Sequence, residues 1–249
     1  MWKLLRASVP GSSHVKAGTP CQDAHAGTFT RPHGESFLVV ACADGAGSAE
    51  RSAEGAAAAV AGFVKAACDL IEAKAAITPE SVSACFRAAR KAVDERAAVL
   101  EAPKRELACT LLGAIVGEEQ AFFGQIGDGL IVVRENEEYL PVFWPRAGDY
   151  LNDSDFLTDE KYEEQVQLIQ RAAPAEIALT TDGLQMLMAN LNARTVHQGF
   201  FAPIFTQLRQ AANPEALLGP LREFLESPAI NERTDDDKTL LLAVRDGLR

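Results

Sequence analysis

The fold of this chain is set by the stretch ESFLVVACADGAG, residues 35–47. Residues 35–43 form a short, nearly continuous run of apolar, β-forming side chains, which is typical of a strand buried on both faces. The run stops at Asp44-Gly45. A carboxylate at that position lies at the edge of a sheet, and the glycine after it lets the backbone approach a ligand closely.

The segments outside this strand predict an α+β protein. An alanine-rich helix is expected from Ser48 to about Ile71 and a second from Pro79 to about Leu100. Further strands are predicted over 107–116, 120–126, 130–134, 139–144, 165–172, 177–181 and 239–244. Helices should fill much of 184–225, with interruptions near Pro203 and at Asn213-Pro214. Because the strands come as hairpins and the helices in two blocks, we expect mostly antiparallel sheets with helices packed outside.

The 249 residues have room for one large domain or two small ones. The sequence contains no internal repeat and no low-complexity linker, so a single domain over residues 1–249 is predicted. Between Pro145 and Glu160 the sequence is dense in Asp, Asn, Gly and Ser and loses its hydrophobic periodicity, which indicates a surface loop.

Composition excludes several classes of partner. With 24 Lys and Arg against 35 Asp and Glu, the net charge is −11 and no basic cluster stands out. Nucleic acid and anionic membrane both require a cationic face, so we expect neither as a partner. No apolar run approaches the roughly 20 residues of a membrane span, and the N-terminus does not resemble a signal peptide. The odd number of cysteines, five, predicts reduced thiols and a cytoplasmic protein.

Asp-Gly pairs mark the candidate functional positions in this sequence. They begin at Asp44, Asp128, Asp182 and Asp246, and the first three directly end apolar strands, whereas Asp246 is expected to lie in a tail. A further acidic run, residues 235–237, precedes the last predicted strand. In an antiparallel sheet the start of one strand lies beside the end of its neighbour, so these carboxylates can converge.

Converging carboxylates need a counter-ion, because like charges at close range otherwise force one group to take up a proton. Oxygen ligands alone suit Mg²⁺ or Mn²⁺ better than Zn²⁺. Two such ions bridged by one aspartate can bind a phosphoryl group and lower the pKa of a bridging water. The pattern therefore predicts a hydrolase.

These residues resemble the type 2C (PPM) metal-dependent Ser/Thr protein phosphatases. The matching pieces, in chain order, are Gln22-Asp23, Asp44-Gly45-Ala46-Gly47, Cys109-Thr110, Gly127-Asp128-Gly129, Thr181-Asp182-Gly183 and Asp236-Asp237-Lys238-Thr239. A small bacterial subgroup is the nearest likeness, since its members are also similar at Gly11-Ser12-Ser13-His14 and over residues 231–239.

The resemblance implies a four-layer αββα sandwich of two mostly antiparallel sheets flanked by helices. It implies hydrolysis of phosphoserine and phosphothreonine in a protein substrate by a metal-bridging hydroxide, in opposition to a Ser/Thr kinase. Two Mg²⁺ or Mn²⁺ ions, with a possible third, are expected. Segment 145–164 falls where the family carries a mobile flap.

The resemblance also assigns roles to individual residues. Asp44 would bridge both ions and the Gly45 carbonyl would bind the first. Asp182 and Asp236 would hold the second ion, Asp23 would act through metal-bound water, and Asp128 would help Asp182 hold the third.

Departures from the family pattern affect substrate binding and proton transfer. Gln22 stands where members usually have Glu, and Gly18 and Thr19 stand where many have a phosphate-binding Arg, which leaves His14 or Lys16 as replacements. Ala46 stands where eukaryotic members often have His, so the leaving group would receive its proton from metal-bound water or from His14.

Two alternatives accompany this interpretation. His14 is also read as an ordinary polar turn residue after Gly11-Ser12-Ser13. The chain as a whole is alternatively a catalytically weak or inactive regulatory domain of the same fold. A cysteine-based phosphatase is excluded, because no cysteine is followed at the sixth position by Arg.

Overall fold

The computed structural model describes residues 2–144 and 155–245. Its strands are β1 (Trp2–Val9), β2 (Ala24–Thr30), β3 (Phe37–Ala43), β4 (Leu111–Val116), β5 (Gln120–Ile126), β6 (Leu130–Glu135), β7 (Glu138–Pro141), β8 (Gln167–Ala172), β9 (Glu176–Thr180), β10 (Ala189–Asn190), β11 (Thr195–Val196) and β12 (Lys238–Arg245). Its α-helices are α1 (Ser12–Ala17), α2 (Ser52–Glu72), α3 (Pro79–Val99), α4 (Tyr162–Gln165), α5 (Gln185–Met188), α6 (Gln198–Gln210), α7 (Leu218–Leu225) and α8 (Pro228–Asn231).

The chain divides into two compact units. Among the described residues, the first unit comprises 2–21, 129–144 and 174–245, and the second comprises 22–128 and 155–173. Each unit contains one five-stranded sheet with its own helices.

The second unit is built on an antiparallel sheet in the order β2-β3-β4-β5-β8. Strand β3 lies inside this sheet, and residues 38–43 have no exposed surface, as the apolar run predicts. Phe63 of α2 and Phe86 of α3 meet edge to face at a centroid distance of 5.4 Å. Gly113 and Gly124 make room for these two rings, since a Cβ atom at either glycine would overlap with them.

The first unit is built on an antiparallel sheet in the order β1-β12-β9-β6-β7. Strand β1 pairs with β12 along its whole length, from Trp2 opposite Arg245 to Val9 opposite Lys238. Helices α6 and α7 cover this sheet through buried side chains, which are Phe201, Phe205, Leu208, Leu221 and Leu225. The pairing of β1 with β12 therefore joins distant parts of the chain in one core.

The predicted α+β class with mostly antiparallel sheets and accompanying helices is confirmed. The sequence did not predict β1, α1, β2, α4 and α8, and the short strands β10 and β11 lie in a region predicted to be mostly helical. Helix α2 begins at Ser52 rather than Ser48, because Ser48 and residues 50–51 lie in turns. The strand predicted from Leu107 begins at Leu111, since Lys104–Leu107 is a 3-10 turn.

The predicted interruption at Pro203 is wrong, because α6 continues through it. The buried Phe201, Phe205 and Leu208 hold this helix on the core, so tertiary packing outweighs the local preference. Among the described residues no helix combines the length and apolar character needed to cross a membrane.

Candidate metal centre

Asp44 follows β3 and is held by its backbone. Its N–H donates to Oγ1 of Thr110 at 2.9 Å, and the Thr110 N–H donates to the Asp44 carbonyl at 2.8 Å. These two bonds continue the contact between β3 and the segment before β4 after regular strand pairing has ended. Asp44 is therefore fixed at the edge of the second unit's sheet, with its side chain partly buried.

Gly45 lies in a position that excludes any side chain. A Cβ atom there would come 2.7 Å from the Gln22 carbonyl oxygen and 2.8 Å from Ser52. Gly45 also forms a β-bridge with Cys109, and the next N–H, that of Ala46, donates to the Ala108 carbonyl at 2.9 Å. The glycine after the aspartate is thus required by close backbone approach.

Asp128 and Asp23 occupy the same edge of this sheet. Asp128 follows β5, and one of its carboxylate oxygens lies within 4.8 Å of one of Asp44. Asp23 precedes β2, whose first residue Ala24 pairs with Ala43, so the register sets Asp23 beside Asp44. The second unit therefore brings together three of the predicted ligands, and a pair of them is close enough to share an ion.

The thiols beside these carboxylates remain protonated. Burial raises the pKa of Cys42 well above 9.0, with Asp23 and Asp44 adding to the shift. Burial likewise raises the pKa of Cys109 to about 12, and the Asp44 charge contributes. Neutral thiols are poor metal ligands and poor nucleophiles, so the chemistry here belongs to the carboxylates.

The first unit places the loops of Asp182 and Asp236 side by side. Asp182 follows β9 and opens a 3-10 turn, while Asp236 lies just before β12, the antiparallel neighbour of β9. Gly183 packs directly on the Asp237 carbonyl, where a side chain would overlap with it. The Thr239 N–H donates to Oγ1 of Thr181 at 3.2 Å, which fixes the two loops side by side.

His14 lies on the short helix α1 and contacts Asp237. Its Nδ1 is 2.7 Å from Oδ1 of Asp237, a close contact without well-aligned hydrogen-bond geometry. The same oxygen accepts the Gly11 N–H at 2.7 Å, and the Ser13 N–H donates to the Asp235 carbonyl at 3.0 Å. The sequence did not predict this partnership, although the acidic run 235–237 contained its carboxylate.

The last part of the predicted flap is anchored in the second unit. Residues 145–154 lie outside the described residues, and so does Asp246. Leu157 is fully buried, and its N–H donates to the Cys109 carbonyl at 2.8 Å. Arg90 of α3 donates through Nη1 to the carbonyls of Leu157 at 2.8 Å and Asp159 at 2.9 Å.

The donor set of each unit fits a hard divalent cation. The second unit has Asp23, Asp44 and Asp128 at one edge of its sheet, and the first has Asp182 and Asp236 in neighbouring loops. Carboxylate and carbonyl oxygens are the ligands that Mg²⁺ and Mn²⁺ prefer. Several acidic groups crowded at a sheet edge also gain stability from a bound cation.

The chain is similar to known protein phosphatases. The family model for protein phosphatase 2C matches residues 10–226. The chain is 35% identical over 248 residues to Serine/threonine-protein phosphatase 3 of Escherichia coli (strain K12), and the match covers 98% of each chain.

Two solved structures share the fold. Serine/threonine phosphatase Stp1 from Staphylococcus aureus superposes with a TM-score of 0.62 at 14% identity, over 99% of this chain and 96% of that one. The catalytic domain of serine threonine protein phosphatase PstP, in complex with two manganese ions, superposes with a TM-score of 0.59 at 17% identity, over 98% and 99% of the two chains. By its family match and its full-length relative, this chain belongs to the protein phosphatase 2C family.

Proposed function

We propose that this protein is a metal-dependent enzyme that removes phosphate from phosphoserine and phosphothreonine in proteins. Its main support is the carboxylate pair of Asp44 and Asp128, within 4.8 Å at a sheet edge, in a chain of this family. A relative that matches 98% of the chain is named as a serine/threonine phosphatase, which supports phosphoserine and phosphothreonine as substrates.

The proposed metal ligands are those that the family pattern assigns. Asp44 would bridge two Mg²⁺ or Mn²⁺ ions, the Gly45 carbonyl would bind the first, and Asp182 and Asp236 would hold the second. Asp23 would contribute through an ordered water, and Asp128 together with Asp182 would support a weaker third ion. Bound ions of this kind neutralise phosphate charge and lower the pKa of water at the site.

The chain's own residues argue for direct attack by water rather than for a covalent phosphoenzyme. Cys42 and Cys109 lie beside the carboxylates but are fully buried, and their raised pKa values keep them neutral. A neutral, inaccessible thiol cannot act as the nucleophile. The proposed mechanism therefore has no phosphocysteine intermediate.

His14 is the proposed proton donor to the departing serine or threonine oxygen. Asp237 is almost fully buried and lies against Nδ1 of His14, whose side chain is 18% exposed. To donate, His14 would act as the imidazolium: Asp237 would hold the proton on Nδ1, and the proton on Nε2 would pass to the departing oxygen and leave the neutral ring. Asp237 is thus proposed as the group that orients His14.

The whole chain is proposed to work as one phosphatase domain in the cytoplasm, opposing a Ser/Thr kinase. All five cysteines are free, which is typical of proteins in a reducing compartment. Coexpression with a kinase that phosphorylates itself on threonine would test the partner class, because the phosphatase should remove that phosphate.

The direct test measures phosphate release from a phosphothreonine peptide and from p-nitrophenyl phosphate with Mn²⁺, with chelator, and with the Asp44→Asn variant. Activity should require Mn²⁺ and should fall by at least about 100-fold in Asp44→Asn, because a bridging charge is lost. Asp69→Asn is the matched control, since Asp69 pairs with Lys65 on the exposed face of α2.

Full activity in chelator, or an active Asp44→Asn variant, would contradict the proposal. A wild-type protein that binds Mn²⁺ and is stabilised by it, yet releases no phosphate, would instead identify an inactive regulatory domain.

A further inference from the structure

We infer that Thr110 is a positioning residue, which holds the loop of Asp44 against the loop of Asp128 and thereby sets the metal affinity of the centre. The inference rests on the proposed function in one respect, that these two aspartates are metal ligands. It adds a residue that touches neither metal nor substrate.

The hydroxyl of Thr110 holds the loop of Asp44. It accepts the Asp44 N–H at 2.9 Å, and the Thr110 N–H in turn donates to the Asp44 carbonyl at 2.8 Å. The continuous pairing of β3 with β4 ends at Cys42 opposite Leu112, and beyond it this pair of bonds and the bridge of Gly45 with Cys109 hold the two segments together. The side-chain oxygen takes the place of a strand partner for the aspartate backbone.

The methyl group of Thr110 packs on the loop of Asp128. Gly127 has a φ of +97°, and a Cβ atom on it would overlap with Cβ and Cγ2 of Thr110. Thr110 itself is only 2% exposed, so its side chain has little freedom to move away. The glycine therefore lies flat against the threonine, directly before the second carboxylate.

One small side chain thus contacts both loops through two different groups. The hydroxyl governs the position of Asp44 and the methyl governs the approach of Gly127-Asp128. Two carboxylates that share an ion must keep a fixed separation, because affinity falls when ligands have to rearrange on binding. The two groups of Thr110 can be removed separately, by valine and by serine.

The experiment is calorimetric titration of the full chain with Mn²⁺ alone, for the wild type and for T110V, T110S and T78V. T110V keeps the shape but leaves the Asp44 N–H without its acceptor, so the Kd for Mn²⁺ should rise about tenfold or more. T110S keeps the hydroxyl and loses the methyl contact, so the Kd should rise by about threefold. At saturating Mn²⁺ the KM for p-nitrophenyl phosphate should stay near the wild-type value.

T78V is the matched control. The Thr78 hydroxyl also accepts a backbone N–H, that of Ser81, but it does so in the N-terminal cap of α3. This variant should lower the melting temperature of the metal-free protein and leave the Kd for Mn²⁺ within about twofold of the wild type.

A wild-type Kd in T110V, or an equal rise in T110V and T78V, would overturn the inference. If circular dichroism shows that T110V does not fold, the test depends on T110S. An unchanged Kd for Mn²⁺ in T110S would then overturn the inference. A parallel assay on phosphothreonine peptide separates the two proposals, because a protein that binds Mn²⁺ without hydrolysing the peptide refutes only the proposed function.

Discussion

His14 Nδ1 lies 2.7 Å from Oδ1 of Asp237, although 222 residues separate the two in the chain. The pairing of β1 with β12 brings them together, because α1 follows the end of β1 and Asp237 precedes the start of β12. An imidazole set against a nearly buried carboxylate is a common arrangement for a histidine that transfers a proton.

Asp237→Asn and His14→Asn should slow hydrolysis of a phosphothreonine peptide more than hydrolysis of p-nitrophenyl phosphate. The threonine alkoxide needs a proton to leave, whereas p-nitrophenolate leaves without one, and a positioned proton donor contributes about 10²–10⁴-fold. We expect a loss of about 100-fold in kcat on the peptide and less than about fivefold on p-nitrophenyl phosphate. His197→Asn is the control, because the His197 side chain is exposed and its Nδ1 contacts the Leu187 carbonyl. Equal losses on both substrates would refute a proton-transfer role.

Gly45→Ala should destabilise the loop that follows β3, and Gly47→Ala should not. A methyl group at Gly45 would lie 2.7 Å from the Gln22 carbonyl oxygen, whereas nothing lies within 4 Å of the corresponding point at Gly47. Overpacking of this kind costs about 1–3 kcal/mol. Urea unfolding of metal-free protein measures the difference, and a stable Gly45→Ala variant would contradict the observed packing.

Arg90→Gln should loosen the segment that begins at Asp155. The Arg90 guanidinium donates to two carbonyls of this segment, bonds Asp94 at 2.9 Å and lies over the Tyr162 ring. Hydrogen bonds to a charged group contribute about 1.5–3 kcal/mol each in partly buried sites. Limited proteolysis should therefore cut faster within 155–161.

The control for this prediction is Arg87→Gln on the same helix. The Arg87 side chain is 41% exposed and both of its acidic partners, Glu80 and Glu163, are exposed, so its loss should have little effect. Equal cleavage rates in the wild type and Arg90→Gln would show that the arginine does not hold the segment.

Stability should fall as the pH rises above about 9. Burial raises the pKa of Cys85 from 9.0 to about 12, so the unfolded chain loses this proton first. The neutral thiol contributes its full stabilisation below pH 9. Between pH 9 and pH 12 the free energy of unfolding should fall by up to about 1.4 kcal/mol per pH unit. Urea unfolding at pH 8, 9 and 10 should give a shallower decline for Cys85→Ala than for the wild type. An equal decline in stability for the wild type and Cys85→Ala would show that the Cys85 thiol does not cause the pH dependence.

The sequence predicted those parts of the fold that lie inside the sheets. Strands β3, β5 and β9 are nearly continuous apolar runs because they are buried on both faces, and a candidate aspartate follows each within two residues. Although the sequence predicted the edge strands β7 and β8, it did not reveal the edge strands β1 and β2. Their half-exposed faces carry polar residues such as Lys3, Arg6 and Thr28, which blur the strand signal.

The candidate carboxylates were readable from the sequence, but their supports were not. Strand ends and Asp-Gly pairs point to Asp44, Asp128 and Asp182, because both signals are local. The roles inferred for Thr110 and Asp237 depend on which strands pair and on how closely two loops approach. Such relationships arise from tertiary packing, so no local pattern announces them.

The pairing of β1 with β12 also dictates an order of events on the ribosome. Trp2–Val9 is synthesised well before its neighbour Lys238–Arg245, which lies about 230 residues later in the chain. At about 5–20 residues per second, β1 waits roughly ten to fifty seconds for that neighbour. The second unit needs no residue beyond 173 and can fold during this interval. A nascent chain stalled before residue 238 should therefore leave its N-terminal segment open to protease and to chaperone binding, and protection of that segment in such a chain would refute this order.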